Sequence, residues 1–139
     1  MKKKIIPVIL IFALSIALIG NAFASPRWTN TASANLTLAF NGSTAECVVD
    51  ITGKFGVSKI EATVELLVKS SNGTYTRSAS WPTKTVSGRI FSFSEYAYNR
   101  PPGDYRLSVN ATVYDANGVG EDIYVYFDRT YNGSTSTTG

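Results

Sequence analysis

Three features of this 139-residue chain predict an all-β fold, a seven-stranded antiparallel two-sheet sandwich. No stretch after Ser25 keeps a helical period over 11 or more residues, whereas apolar and polar residues alternate in repeated runs. Asn-Gly and Pro-Pro-Gly turn sequences separate those runs at short intervals. The alternation is one-sided, so each strand has a buried face and a wet face, as two antiparallel sheets packed together require. A small closed barrel satisfies the same pattern and stays open as the alternative.

The first strand is read at 33–41, where Leu36, Leu38 and Phe40 alternate with Thr37 and Ala39. Asn41-Gly42 suits a two-residue type I′ hairpin, because both residues tolerate positive φ. The second strand, 45–53, turns Ala45, Cys47, Val49 and Ile51 to one side. The third, 58–70, does the same with Ile60, Ala62, Val64, Leu66 and Val68, and Leu67 breaks its alternation. Asn72-Gly73 reads as a second two-residue hairpin leading to 74–81, which stops at Pro82. A fifth strand over 86–98 carries Phe91 and Phe93 on one side. Pro101-Pro102-Gly103-Asp104 then blocks pairing and turns the chain. The sixth strand, 104–115, buries Tyr105, Leu107, Val109, Ala111 and Val113, and Asn117 to Gly120 connects it to the seventh, 121–130. There Ile123, Val125 and Phe127 point inward, which sends Tyr124 and Tyr126 outward.

The ends read differently. Lys2, Lys3 and Lys4 precede an apolar run from Ile5 to Leu18, and Ala22-Phe23-Ala24 offers a small-x-small cleavage site. Residues 1–24 are therefore expected to be a secretory signal peptide, with a helical apolar stretch, cut before Ser25. Residues 25–32 are expected to be a flexible lead-in, 33–130 the sandwich domain, and 131–139 a disordered Ser/Thr/Gly tail. The net charge of +3 belongs to the three leading lysines; without them the basic residues fall from 13 to 10 and equal the 10 acidic ones. With its remaining cations scattered singly, the chain lacks the basic stripe of a nucleic-acid binder. The expected location is secreted, extracellular or loosely surface-associated, with no stable membrane anchor after cleavage.

The run Pro102-Gly103-Asp104-Tyr105-Arg106-Leu107-Ser108-Val109 resembles the head of the strand called F in immunoglobulin-like and fibronectin-type-III-like domains. That resemblance implies a tyrosine at 105 whose ring packs and whose hydroxyl bonds to preceding backbone. Antibody domains carry a cysteine two residues later. Leu107 stands there, so Cys47 has no partner for that disulfide. The wider layout over 33–127 resembles small secreted proteins of unknown function from clostridia-like Gram-positive bacteria. It rests on the signal peptide, Cys47, Ile60 to Val68, Ser80-Trp81, Gly103-x-Tyr105 and Tyr114-Asp115-x-Asn117-Gly118-x-x-Glu121. It implies a fold and a location and no activity.

The chain has no histidine, which removes the commonest general base and metal ligand. Cys47 alternates inward and is expected to be a small buried hydrophobe. Asp115, Asn117, Glu121 and Asp122 gather around a glycine-rich turn, where oxygen ligands suggest calcium, but the spacing fits an ordinary turn better. Five Asn-x-Ser/Thr triplets begin at Asn35, Asn41, Asn72, Asn110 and Asn132; three are Asn-Gly turns, and all are read as unmodified. No enzyme activity and no cofactor are expected.

The first expectation for function is a noncatalytic interaction or surface module, monomeric, with a protein or glycan partner at the cell surface and no nucleic acid. A carbohydrate-binding module is the alternative, drawing on Trp28, Trp81 and eight tyrosines, and a structural component of a cell envelope or spore coat is the third. An immunoglobulin-like order puts 58–70, 104–115 and 121–130 in one sheet. Its outer face would then carry the candidate partner-binding residues Tyr124, Tyr126, Arg106 and Asn110, with Tyr114 at the far end of its strand, beside Glu61 and Glu65, and with Trp28 and Trp81 next in line.

Overall fold

The computed structural model describes residues 28–133. The expected signal peptide, residues 25–27 of the expected lead-in and residues 134–139 of the tail lie outside the described residues. The described chain forms eight strands: β1 (Thr31–Asn41), β2 (Thr44–Gly53), β3 (Lys59–Lys69), β4 (Tyr75–Ser80), β5 (Lys84–Ser87), β6 (Ile90–Ala97), β7 (Gly103–Tyr114) and β8 (Gly120–Tyr131). They make two antiparallel sheets. One has the order β1-β2-β6; the other has the order β4-β3-β7-β8, with β5 also paired to β3. Among the described residues there are two sheets and no closed barrel.

Alternation explains the core. Leu36, Leu38, Cys47, Val49, Ile51 and Phe91 from one sheet face Ile60, Val64, Leu66, Leu107, Val109 and Val113 from the other, and all are buried. Burying each large aliphatic or aromatic side chain is worth about 1.5–3 kcal/mol, so the two inner faces drive the sheets together.

The strand expected over 86–98 is in fact two strands in different sheets. β5 pairs with β3, and β6 pairs with β2. Gly88, with φ of +93°, makes the break, a conformation that an L side chain would strain. The Gly88 amide then donates to the Ser58 carbonyl, and the Arg89 carbonyl accepts from the Gly53 amide, so the chain is passed from one sheet to the other within two residues.

The hairpins also differ from expectation. The β1–β2 loop is Gly42-Ser43, closed by the Asn41–Thr44 pair. Gly42 alone has positive φ there, the pattern of a type II′ turn. Asn72-Gly73 does not form a two-residue turn. The Gly73 amide donates to the Ser70 carbonyl, the Ser70 amide donates to the Thr74 carbonyl, and only Gly73 is left-handed. Asp115 to Val119 repeats that three-residue loop with Gly118 in the same role. In both, the acidic or amide side chain caps the turn. Asn72 Oδ1 accepts from the Thr74 amide, and Asp115 Oδ1 accepts from the amides of Asn117 and Val119.

At each end the strands run further than expected. β1 begins at Thr31, inside the segment read as a flexible lead-in, and Asn30 and Thr31 are buried. Their anchor is distant in sequence. Glu121 of β8 accepts from the amides of Thr29, Asn30 (2.7 Å) and Thr31 (3.0 Å), and from the Thr31 hydroxyl. Partial burial would raise the Glu121 carboxyl pKa, but these donors outweigh it and hold it below its ordinary value. At the other end β8 reaches Tyr131, which is buried and stacks on Phe40 of β1 at 4.7 Å. Tyr105 fills the space beside them, wholly buried, and its hydroxyl donates to the Pro101 carbonyl at 2.5 Å. This is the arrangement implied by the resemblance of residues 102–109 to the head of an F strand.

Candidate recognition face

β3, β7 and β8 share one sheet, as the sequence order implied, and their outward residues form rows across it. Antiparallel register sets the rows. Arg106 lies opposite Asp128 and Leu67, Ser108 opposite Tyr126 and Glu65, and Asn110 opposite Tyr124 and Thr63. Leu67, the exception to the alternation, is an outward half-buried residue flanked by Arg106 on β7 and Arg77 on β4.

Arg106 is the centre of this face. Its guanidinium lies 3.9 Å from the Tyr126 ring centroid and 4.2 Å from that of Tyr75, so it is held between two aromatic faces. Nε and Nη2 donate to the two oxygens of Asp128 at 2.7 and 3.0 Å, a bidentate pair. That hydrogen bonding raises the arginine's pKa further above its ordinary value, so the charge is permanent. Tyr124 extends the patch: its ring is 5.9 Å from that of Tyr126, and the two are 50% and 37% exposed. A second ion pair, Arg77 to Glu65 at 2.9 Å, lies alongside.

The expected five residues do not all meet. Tyr124, Tyr126 and Arg106 are neighbours, and Asn110 sits opposite Tyr124. Tyr114 is eight positions along β7 from Arg106, roughly 27 Å at strand rise. It has its own partners there. Lys59 Nζ lies 4.4 Å from its ring centroid, and its hydroxyl donates to Glu61 at 3.3 Å. Partial desolvation and the Glu61 carboxylate raise its pKa.

Tyr75 belongs to the site and was not among the sequence candidates. The β3–β4 pairing shifts register between Leu66 and Leu67, and this bulge sets Tyr75 opposite Lys69, on the same outer face. Trp28 and Trp81, the reserve candidates, are partly buried and pack against the core. Trp81 meets Phe93 edge-on at 5.2 Å.

The acidic residues around the β7–β8 loop serve separate structural ends. Asp115 caps the turn, Glu121 holds the N-terminal backbone, and Asp122 accepts from the Thr112 hydroxyl at 2.7 Å. Among the described residues no three His, Cys, Asp or Glu side chains converge as a metal site. Cys47 is buried, and burial together with the neighbouring Glu46 charge pushes its thiol up to about 12. At neutral pH it stays protonated and is a poor nucleophile.

No family model and no curated protein matches this chain. Solved structures similar to it at low identity include three small domains or proteins. One is the CARDB domain of a Pyrococcus furiosus protein, in complex with di-metal ions, at 18% identity and a TM-score of 0.45, covering 78% of this chain and 95% of that one. The putative ApaA protein of Bordetella pertussis has 10% identity and a TM-score of 0.45, covering 81% and 100%. The sporulation control protein Spo0M of Bacillus subtilis has 13% identity and a TM-score of 0.37, covering 70% and 49%.

Proposed function

We propose that this chain is a noncatalytic immunoglobulin-like module, of fibronectin-type-III-like strand order, that works outside the cell. Its partner is a protein at the cell surface, bound through Tyr75, Arg106, Tyr124 and Tyr126. The observation that carries this is the guanidinium held between Tyr75 and Tyr126 and clamped by Asp128. Tyrosine and arginine dominate interface hot spots, since each combines large contact area with hydrogen bonding. Here they are already fixed before a partner arrives, so little conformational entropy remains to be lost on binding.

The fold assignment draws on the sheet orders β1-β2-β6 and β4-β3-β7-β8 and on Tyr105 bonding to Pro101 at the head of β7. The extracellular location draws on Lys2 to Lys4, the apolar run and Ala22-x-Ala24 in the sequence. The noncatalytic reading draws on the absence of histidine, the neutral thiol of Cys47 and the commitment of Asp115, Glu121 and Asp122 to turns and anchors.

The test replaces Tyr124 and Tyr126 with serine and measures retention of the purified protein on producing cells. Both residues are at least one-third exposed, so the fold should survive, with a loss of about 0.5–1 kcal/mol from the Arg106–Tyr126 contact. Loss of two hot-spot anchors should weaken retention by about 2 kcal/mol or more, roughly thirtyfold. Unchanged retention in a folded double variant would remove this face from consideration.

A further inference from the structure

The opposite sheet has a concavity of its own. At the β1–β2 hairpin end, Ala39, Phe40, Asn41, Thr44, Glu46, Tyr96 and Tyr98 line an open cleft of about 650 Å³. Register builds it. Glu46 of β2 lies between Ala39 of β1 and Tyr96 of β6, so the smallest side chain of the row leaves room beside the carboxylate. Phe40 is fixed at its edge by stacking on Tyr131 and by Tyr105 at 5.1 Å.

We infer that this cleft is a binding site for a neutral saccharide, independent of the face proposed above. Tyr96 and Tyr98 are 49% and 62% exposed, with ring centroids 6.0 Å apart and a tilt of 33°. Two such rings make a platform for the C–H face of successive sugar rings. Within the described residues, no side-chain hydrogen bond or ion pair engages Asn41, Thr44, Glu46, Tyr96 or Tyr98. The cleft therefore offers an amide, hydroxyls and a carboxylate that are all unspent. A carboxylate accepts from two adjacent hydroxyls at once, and an amide both donates and accepts, which is the mixture a polyol needs.

Other ligand classes fit less well. Among the described residues Glu46 is the one charged side chain lining the cleft, so anions are repelled. Arg100 braces the segment that follows Tyr98. Its backbone amide donates to the Ser43 carbonyl, and its guanidinium is bound to the carbonyls of Tyr98 and Ser78. A purely apolar ligand would bury the unspent polar groups without partners. The same Arg100 bonds, together with the left-handed Asn99 (φ 56°), hold Tyr98 beside the hairpin, so the walls are set in advance.

The experiment titrates the purified protein with cellohexaose, chitohexaose and mannohexaose, and with oligolysine as a cationic control, by calorimetry and by amide chemical shifts. Saturable binding of at least one oligosaccharide is expected. It should weaken by about tenfold or more in Tyr96→Ala and in Glu46→Gln, and persist in Tyr124→Ser/Tyr126→Ser. Glu46→Gln keeps the shape of the side chain, so it reads the carboxylate even if Tyr96→Ala loosens β6. Three results would overturn the assignment: no binding of any of the three oligosaccharides, binding that survives both cleft variants, or binding of oligolysine alone. None of them bears on the Arg106 face, whose own variants are different.

Discussion

The outer faces of the two sheets use the same residue types in opposite ways. On the five-stranded sheet, the charged groups around Arg106 are spent on one another. Arg106 is bound by Asp128, Tyr75 and Tyr126, Arg77 by Glu65, and Thr112 by Asp122. On the three-stranded sheet, Glu46, Asn41 and Thr44 sit beside exposed tyrosines with their side-chain hydrogen-bonding capacity unused. A face that is already internally satisfied is rigid and presents shape, which suits a folded protein partner. A face with unspent donors and acceptors suits a ligand that brings its own hydroxyls.

Both faces depend on one core, so the largest expected effect is the one that removes both. Tyr105→Ala should cost about 3–5 kcal/mol, as for other large buried aromatics. Tyr105→Phe, which keeps the ring and loses the hydroxyl's bond to Pro101, should cost about 1 kcal/mol. Denaturant melts of the two variants measure the difference. An equal, negligible loss in both would mean that Tyr105 does not tie the head of β7.

Glu121→Gln comes next and should affect the seam between β1 and β8 while leaving both outer faces intact. Weakening its bonds to three backbone amides should cost about 1–3 kcal/mol. The sign of the pH dependence follows from the lowered pKa in the fold. The carboxylate's contribution is complete above the unfolded value of about 4.3 and is lost as pH falls through the lower folded value. The stability gap between wild type and Glu121→Gln should therefore close in acid and stay constant from neutral pH down to about pH 5.

The two face substitutions should be the quietest in stability and so sharpen the contrast. Arg106→Lys keeps the charge but loses the flat fork between two rings, and should cost about 0.5–1 kcal/mol. Glu46→Gln should change stability by no more than about 0.5 kcal/mol, because no internal partner is lost. A larger loss for Glu46→Gln than for Arg106→Lys would reverse the assignment of spent and unspent faces.

Much of this was legible in the sequence, and the remainder has physical reasons. Period-two alternation located β1, β2, β3, β7 and β8, and it placed Arg106, Tyr124 and Tyr126 on one outer face. The alternation could not show that Gly88 moves the chain between sheets, because the residues on either side continue to read as strand. Nor could it place Tyr75, whose face depends on a bulge between Leu66 and Leu67 in the register of its neighbour. Tyr114 was read at the far end of that strand, eight residues from Arg106, and what the sequence could not show is its pairing there with Lys59 and Glu61. The Tyr96 cleft arises from the pairing of β2 with β6, two strands far apart in the chain.

The most direct test of recognition through the Arg106 face compares retention on intact and protease-treated producing cells, using wild type, Tyr75→Ser/Tyr126→Ser and Tyr96→Ala. The protease-sensitive part of retention should disappear in Tyr75→Ser/Tyr126→Ser and persist in Tyr96→Ala. Protease-sensitive retention that survives in Tyr75→Ser/Tyr126→Ser, or that is lost in Tyr96→Ala instead, would contradict the assignment.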